Sequence, residues 1–184
     1  SLDLGGGIGI NYQNNIPPDF SKYRKIVTDL FLNSDYNLSF EPGRSLIAEA
    51  GILVTKVIRN KKNNDKKFII VDAAMNDLLR PALYKAEHDV WNLEKDSTQE
   101  AKVWNIVGPI CESSDFLARN ISIPAKEDDV LAIKSAGAYG FVMSSNYNSR
   151  PKSAEILVDG SEFKLIRKRE NFDDLVQSEI SLDD

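Results

Sequence analysis

Residues 52–75, ILVTKVIRNKKNNDKKFIIVDAAM, contain two runs of β-branched and aromatic residues on either side of a polar, basic segment. Such side chains favour strands, and a short polar segment between two such runs is typical of a hairpin turn. The stretch therefore predicts a β-hairpin with the basic run from Arg59 to Lys67 at its tip. Because no aromatic residue interleaves these cations, a solvated tip is a better interpretation than a nucleic-acid patch.

Short strand-forming runs continue along the chain, separated by polar or Gly/Pro turns. They are KVWNIVGPI (102–110), DVLAIKSAG (129–137), AEILVDG (154–160) and EFKLIRKR (162–169). This pattern predicts an antiparallel all-β barrel or sandwich. We expect a hairpin turn at Gly160–Phe163 and a last short helix capped by Asn171 or Asp173.

The first fifty residues have a different pattern, typical of α/β structure. Leu2–Leu4 and Asn37–Phe40 are strand candidates, and between them apolar residues recur at helical spacing from Tyr23 to Phe31. We therefore expect an α/β segment at 1–50 and a β domain at 51–184. The opening inside an apolar strand predicts that the chain is the later part of something longer.

Composition bounds the possible functions. The 184 residues are 42% hydrophobic and 28% charged, which is ordinary for a soluble globular protein. The net charge of −5 argues against a broad surface for nucleic acid or anionic membranes. No apolar run is long enough to span a bilayer, and no signal-peptide pattern opens the chain. The single cysteine excludes an internal disulfide and fits a cytoplasmic setting.

Two segments near the first strands can bind an anionic ligand. The triplet Gly5–Gly7 can bring backbone N–H groups close to a phosphate, although a plain tight turn is the alternative. In the turn from Glu41 to Arg44, the guanidinium can bind a phosphate bidentately. The Glu41 carboxylate can stabilise a protonated ring nitrogen, and a local ion pair is the alternative for this turn.

Three further segments hold candidate site residues. Arg80 and Tyr84 lie four apart after a helix-opening Pro81, where they can grip a carboxylate; a surface arginine beside a half-buried tyrosine is the alternative. Tyr139 lies between two glycines, which can hold its side chain at a site with little crowding. A tyrosine corner within the β domain is the structural alternative. Cys111 follows a Gly-Pro turn in an acid-rich segment, although a lone cysteine is usually a small buried residue. His88 has no ligand-spaced partner, so we expect a structural histidine and no metal site.

Five segments together, in order and spacing, resemble the bacterial diaminopimelate decarboxylases. These are pyridoxal-phosphate enzymes of the alanine-racemase and ornithine-decarboxylase type. The segments are LDLGGGIGI (2–10), FEPGRSLIAEAG (40–51), VDAAMNDLLRPALY (71–84), GPICESSDFLA (108–118) and GAYGFVMSSNYNSRPKSAEILV (137–158). The resemblance implies the last strands of a TIM-type (β/α)₈ barrel followed by an all-β C-terminal domain.

The resemblance also implies roles for single residues. The residues expected to hold pyridoxal 5'-phosphate are Gly5, Gly6, Gly7, Glu41, Gly43, Arg44 and Tyr139. Among them, Glu41 faces the pyridinium nitrogen. The residues expected to hold the substrate are Arg44, Arg80, Tyr84, Glu112 and Tyr139. Cys111 is the implied catalytic proton donor and Glu112 the group that binds the distal amino end. Their loop is expected to reach the partner subunit's site in a homodimer.

The implied reaction removes the carboxylate at the D-centre of meso-2,6-diaminopimelate and gives L-lysine and carbon dioxide, the last step of lysine biosynthesis. An arginine or carboxynorspermidine decarboxylase is the nearest alternative, although NDLLRP (76–81) speaks against both. A decarboxylase-like binding or regulatory module without catalysis is the alternative from another class. The resemblance places the cofactor-holding lysine on an early barrel strand that this chain lacks. Lys85 lies in the substrate-binding segment instead, so we expect the chain alone to be inactive.

Overall fold

A computed structural model describes residues 1–10, 12, 18–94 and 99–180, and it begins with a small two-stranded unit. Strands β1 (Leu2–Asp3) and β2 (Leu38–Ser39) pair in parallel, joined by helix α1 (Phe20–Phe31). The predicted helix is confirmed, and the carboxylate of Asp19 caps it by accepting a hydrogen bond from the amide of Lys22 at 2.8 Å. Both strands are shorter than the sequence predicts.

The predicted hairpin follows a short connection. Helix α2 (Arg44–Ile47) and one 3₁₀ turn (Ala48–Ala50) lead into β3 (Leu53–Asn63), which pairs in antiparallel fashion with β4 (Lys66–Val71). The basic run from Arg59 to Lys67 does not all lie at the tip, contrary to the prediction, because most of it lies in the two paired strands. The turn itself is Asn64 and Asp65, and Asn64 has a φ of 52°. Asparagine tolerates this left-handed conformation, so the polar tip closes the hairpin without strain in the flanking strands.

The hairpin is the centre of a six-stranded sheet in the order β5-β8-β3-β4-β6-β7. Its other strands are β5 (Val90–Asn92), β6 (Lys102–Val107), β7 (Phe116–Ile123) and β8 (Val130–Ile133). The edge strands β5 and β7 approach each other, so the sheet curves into a nearly closed barrel. The prediction of purely antiparallel pairing is wrong for one pair, because β4 and β6 run in parallel. The long crossover between them makes parallel pairing possible, and it carries helix α3 (Arg80–Tyr84).

The core of the domain lies inside this curved sheet. Apolar side chains from most of its strands alternate inward, as the period of two along a strand requires. The fully or almost fully buried strand residues include Val57, Ile69, Val71, Ile106, Leu117, Leu131 and Ile133, and Leu78 from the connection between β4 and α3 joins the same cluster. The chain loops that leave the sheet therefore start from rigid strand ends.

A second hairpin and a short helix complete the described chain. β9 (Glu155–Asp159) and β10 (Glu162–Arg167) pair in antiparallel fashion around the predicted turn at Gly160. Helix α4 (Phe172–Val176) begins with a capping box in which Asn171 and Asp174 exchange hydrogen bonds. None of the helices built from the described residues has the length and hydrophobicity needed to cross a bilayer.

Candidate active site

One cleft of about 670 Å³ lies between the two-stranded unit and the curved sheet. It brings together eight residues that the sequence predicts for a ligand site: Gly6, Gly7, Glu41, Gly43, Arg44, Arg80, Tyr84 and Tyr139. Ile8 and Met143 complete its lining. Gly5, Cys111 and Glu112, which the sequence also predicts, do not line the cleft.

The glycine turn forms one wall of the cleft. Gly5 and Gly7 have φ values of 68° and 77°, in the left-handed region where a side chain would be strained. The carbonyl of Gly5 accepts a hydrogen bond from the amide of Glu41 at 2.8 Å. A Cβ atom on Gly6 would overlap the carbonyl oxygen of Glu41. The turn needs glycine here, and it packs directly onto the Glu41–Arg44 turn.

Tyr139 reaches the cleft because its loop is fixed against α2 and the 3₁₀ turn that follows it. The amide of Gly137 donates to the carbonyl of Ala48 at 2.9 Å, and the amide of Ala136 donates to the carbonyl of Gly51 at 2.8 Å. Gly137 packs so closely on this backbone that it has no room for a side chain. The start of the 137–140 segment is therefore packed against the connection between β2 and β3, and this contact holds Tyr139 at the cleft.

Arg80 is the buried cation of the site, with only 8% of its surface exposed. Its guanidinium carbon lies 5.2 Å from the ring centre of Tyr84, 5.4 Å from that of Tyr139 and 5.8 Å from that of Tyr12. The prediction that Arg80 and Tyr84 share one helical face is confirmed by α3. The buried Nε of Arg80 has no hydrogen-bond partner within the described structure. A charged donor held between aromatic rings is suited to bind a carboxylate or phosphate.

His88 is 3% exposed and lies, like Arg80, beside the ring of Tyr12. Its Nδ1–H donates to the carbonyl oxygen of Lys134 at 2.7 Å, and its ring centre lies 4.6 Å from that of Tyr12. Burial, and to a smaller degree the nearby charge of Arg80, lower the pKa of His88, so the imidazole is neutral. In the described ranges, no three His, Cys, Asp or Glu side chains gather into a metal site.

Cys111 and Glu112 project from the loop between β6 and β7. Both are exposed, in contrast to the buried position that a lone cysteine usually takes. The Glu112 carboxylate accepts a hydrogen bond from the hydroxyl of Tyr147. The base of the loop is fixed by Asp115, which is 3% exposed. Its carboxylate accepts the amide of Met75 at 2.7 Å and that of Ile110 at 2.8 Å.

Lys85 does not belong to the cleft. It ends α3 in a left-handed conformation with a φ of 54°, and it lines a separate cavity of about 890 Å³. No lysine is among the described residues that line the cleft.

Sequence reasoning missed four side chains around these sites. Ile8 and Met143 line the cleft, Tyr12 contacts Arg80, and Tyr147 bonds Glu112. Ile8, Met143 and Tyr147 lie inside the segments that carry the resemblance. Their closeness in sequence to the predicted site residues could have identified them as candidates. Tyr12 lies outside those segments, and no spacing in the sequence predicts its contact with Arg80.

The comparisons with known proteins agree with this architecture. The sequence model of the family described as pyridoxal-dependent decarboxylase, C-terminal sheet domain, matches residues 19–137. The diaminopimelate decarboxylase of Vibrio cholerae is 50% identical over 175 residues, which are 95% of this chain and 42% of that protein. The diaminopimelate decarboxylase of Neisseria meningitidis serogroup A is 48% identical over 180 residues, 98% of this chain and 44% of that protein.

A solved structure gives the same result in three dimensions. The diaminopimelate decarboxylase of Helicobacter pylori in complex with L-lysine superposes with a TM-score of 0.87 at 41% identity, over 95% of this chain and 43% of that one. The chain spans less than half the length of these relatives. With a family match over most of its residues, the chain belongs to the pyridoxal-dependent decarboxylases and includes their C-terminal sheet domain.

Proposed function

We propose that this chain is the C-terminal portion of a pyridoxal-phosphate enzyme that decarboxylates meso-2,6-diaminopimelate to L-lysine and carbon dioxide. The observation that carries the proposal is the cleft, which joins a glycine turn, a carboxylate, two arginines and two tyrosines from segments far apart in sequence. The names of the relatives, each about half identical to this chain, support the choice of substrate.

The glycine wall fits the phosphate of the cofactor. Gly7 lines the cleft with nothing within 4 Å of its Cβ position, so a ligand can approach its backbone closely, while Gly6 packs on the carbonyl of Glu41. Glu41 and Arg44 line the same cleft and would hold the ring nitrogen and an anionic group, respectively. When bound, pyridoxal phosphate supplies an electron sink for the charge left by the departing carboxylate.

We assign the substrate to residues of the cleft and of the loop between β6 and β7. Arg80 would bind the carboxylate at the end of the substrate that does not react, with Tyr84 and Tyr139 packed on its guanidinium. Cys111 would deliver the proton that replaces carbon dioxide at the reacting carbon. Glu112 would pair with the distal ammonium of the substrate.

A homodimer with shared sites accounts for the position of Cys111 and Glu112. Both are exposed on a loop outside the cleft of their own chain, so they are available to complete the cleft of a second copy. We place this homodimer in the cytoplasm, where the free thiol of Cys111 would stay reduced.

We also propose the domain division that the sequence predicts. Residues 1–50 would be the last part of a (β/α)₈ barrel, and the parallel β1–β2 pair joined by α1 supports this assignment. Residues 51–184 would form the C-terminal β domain. Solved arginine and lysine/ornithine decarboxylases, at 21% identity, share the fold, and this likeness does not favour their substrates here.

The test is release of carbon dioxide from meso-diaminopimelate, with ornithine and arginine as control substrates. This chain would be assayed alone and together with the rest of the enzyme, with pyridoxal phosphate present in both samples. We expect activity in the complemented sample alone, and on diaminopimelate alone, because no lysine lines the described cleft. Activity on arginine would favour the alternative substrate, and a folded but inactive complex would favour a non-catalytic module.

A further inference from the structure

The hydrogen bond between Tyr147 and Glu112 fixes an otherwise mobile carboxylate. Glu112 is exposed near the tip of the loop between β6 and β7, where a glutamate in water samples many rotamers. The Tyr147 hydroxyl donates to its Oε1. A hydrogen bond to an ionised acceptor is about twice as strong as a neutral one, so the tyrosine selects one placement of the carboxylate.

Both partners of this bond are tied to the same short segment of the chain. On the tyrosine side, the amide of Ser145 donates to the carbonyl of Asn76 at 3.0 Å, and the Asn76 amide nitrogen donates to the carbonyl of Ser145 at 3.2 Å. On the glutamate side, Asp115 accepts the amide of the adjacent Met75 at 2.7 Å. The distance between Tyr147 and Glu112 is therefore set by backbone anchors on residues 75–76.

The chemistry of the pair leaves the carboxylate able to bind a cation. A carboxylate offers about four lone-pair positions, and the phenol occupies one of them. The hydrogen bond to Glu112 raises the pKa of Tyr147, so the phenol stays protonated and remains a donor. An ammonium, which only donates, can use the positions that the phenol leaves open.

We propose that Tyr147 is a positioning residue that orients Glu112 for the distal ammonium of the substrate. Through Glu112, it contributes to discrimination between diamino acids and amino acids with a single amino group. This inference rests on the proposed function. Tyr147 and Glu112 belong to the same chain, so both contribute to the same cleft, whether that cleft is in their own subunit or in the partner subunit.

The first test compares Tyr147→Phe with the wild type in the complete enzyme. The measured quantity is the ratio of kcat/KM for meso-diaminopimelate to kcat/KM for 2-aminopimelate, which lacks the distal amino group. We expect this ratio to fall about threefold to tenfold, as the loss of one charge-assisted hydrogen bond implies. The control is Tyr36→Phe, which removes the same hydroxyl from an exposed tyrosine and should leave the ratio unchanged. An unchanged ratio in Tyr147→Phe would overturn the inference.

The second test needs no turnover. Calorimetry would give the Kd of L-lysine and of 6-aminohexanoate, which differs from lysine only by the missing α-amino group. We expect the preference for L-lysine to shrink in Tyr147→Phe by a similar factor. A wild type that releases no carbon dioxide would defeat the proposed function, and the Kd preference would then decide this inference alone. An equal preference in both proteins, or no binding of L-lysine, would overturn it.

Discussion

Gly6 and Glu41 touch through their backbones, and a side chain on residue 6 would overlap the carbonyl oxygen of residue 41. Next to this contact, the amide of Glu41 donates to the carbonyl of Gly5 at 2.8 Å. Two segments far apart in sequence thereby form one wall of the cleft. The absence of a side chain at residue 6 is a condition for that wall.

Gly6→Ala tests this contact. The added methyl group must push the Glu41 backbone away, at a cost of about 1–3 kcal/mol. We expect the affinity of the complete enzyme for pyridoxal phosphate to fall at least tenfold, measured by fluorescence titration. Gly9→Ala is the matched control, because nothing lies within 4 Å of a Cβ atom there. Equal losses in the two variants would show that the contact does not matter.

Arg80→Lys tests the role of the guanidinium between the tyrosine rings. Lysine keeps the charge but lacks the planar fork that binds a carboxylate through two bonds and stacks on aromatic rings. We expect KM for meso-diaminopimelate to rise about tenfold, with a smaller change in kcat, in steady-state assays of the complete enzyme. Arg119→Lys is the control, since the Arg119 guanidinium lies 3.3 Å from the ring centre of Phe116 outside the cleft. A similar rise in both variants would contradict the assignment.

The predictable parts of the fold are those encoded locally. Helix α1 and both hairpins follow from side-chain period and turn residues, which act over a few positions. The parallel pairing of β4 with β6 was not predictable in this way, because it joins strands separated by a long crossover. Strands β5 and β7 were also missed. β5 has only three residues, and β7 contains Arg119 and the left-handed Asn120, which interrupt its apolar pattern.

Most residues of the candidate site were predictable from the sequence, but their three-dimensional arrangement was not. The segments around Gly6, Glu41, Arg80 and Tyr139 could be singled out from residue types and order, and the structure brings them to one cleft. Their mutual geometry could not be predicted. The hydrogen bond of Tyr147 to Glu112 depends on how two loops are anchored on a third segment, and no spacing in the sequence encodes that arrangement.

His88→Asn tests the pH dependence of stability. The pKa of His88 is lowered in the folded state, so between that value and the ordinary 6.5 the unfolded chain binds more protons. The stability that this shift contributes is full above pH 6.5 and is lost as the pH falls from there towards the folded-state pKa. For one group, the free energy of unfolding changes by at most about 1.4 kcal/mol per pH unit. Asparagine can still donate to the Lys134 carbonyl but does not titrate.

We therefore expect the wild type to lose more stability than His88→Asn between pH 6.5 and 5, measured by urea unfolding of the complete enzyme. Asp77 and Asp115, whose pKa values are raised by burial, are present in both proteins, so their contributions cancel in the difference. Parallel pH profiles for the two proteins would show that His88 is not held neutral.

Asp115→Asn tests whether the base of the β6–β7 loop determines the activity of its tip. Each carboxylate oxygen of Asp115 accepts one backbone amide, from the half-buried Met75 and from the buried Ile110. Asparagine has only one acceptor oxygen, so one amide would face the NH₂ group and stay unpaired, at a cost of about 1–3 kcal/mol. Because the same bonds place Cys111 and Glu112, we expect kcat/KM for meso-diaminopimelate to fall tenfold or more.

The matched control for this variant is Asp129→Asn. Asp129 is 2% exposed, and one of its oxygens accepts both the side-chain amide of Asn92 at 2.8 Å and the amide of Lys126 at 3.0 Å. A single oxygen of asparagine can keep both bonds, and neither partner belongs to the loop. Assayed below the unfolding transitions of both variants, Asp129→Asn should keep kcat/KM within about twofold of the wild type, as expected for a change remote from the reacting groups. Equal losses would mean that Asp115 acts only through the general stability of the β domain, since the two substitutions differ in whether they release the Cys111–Glu112 loop.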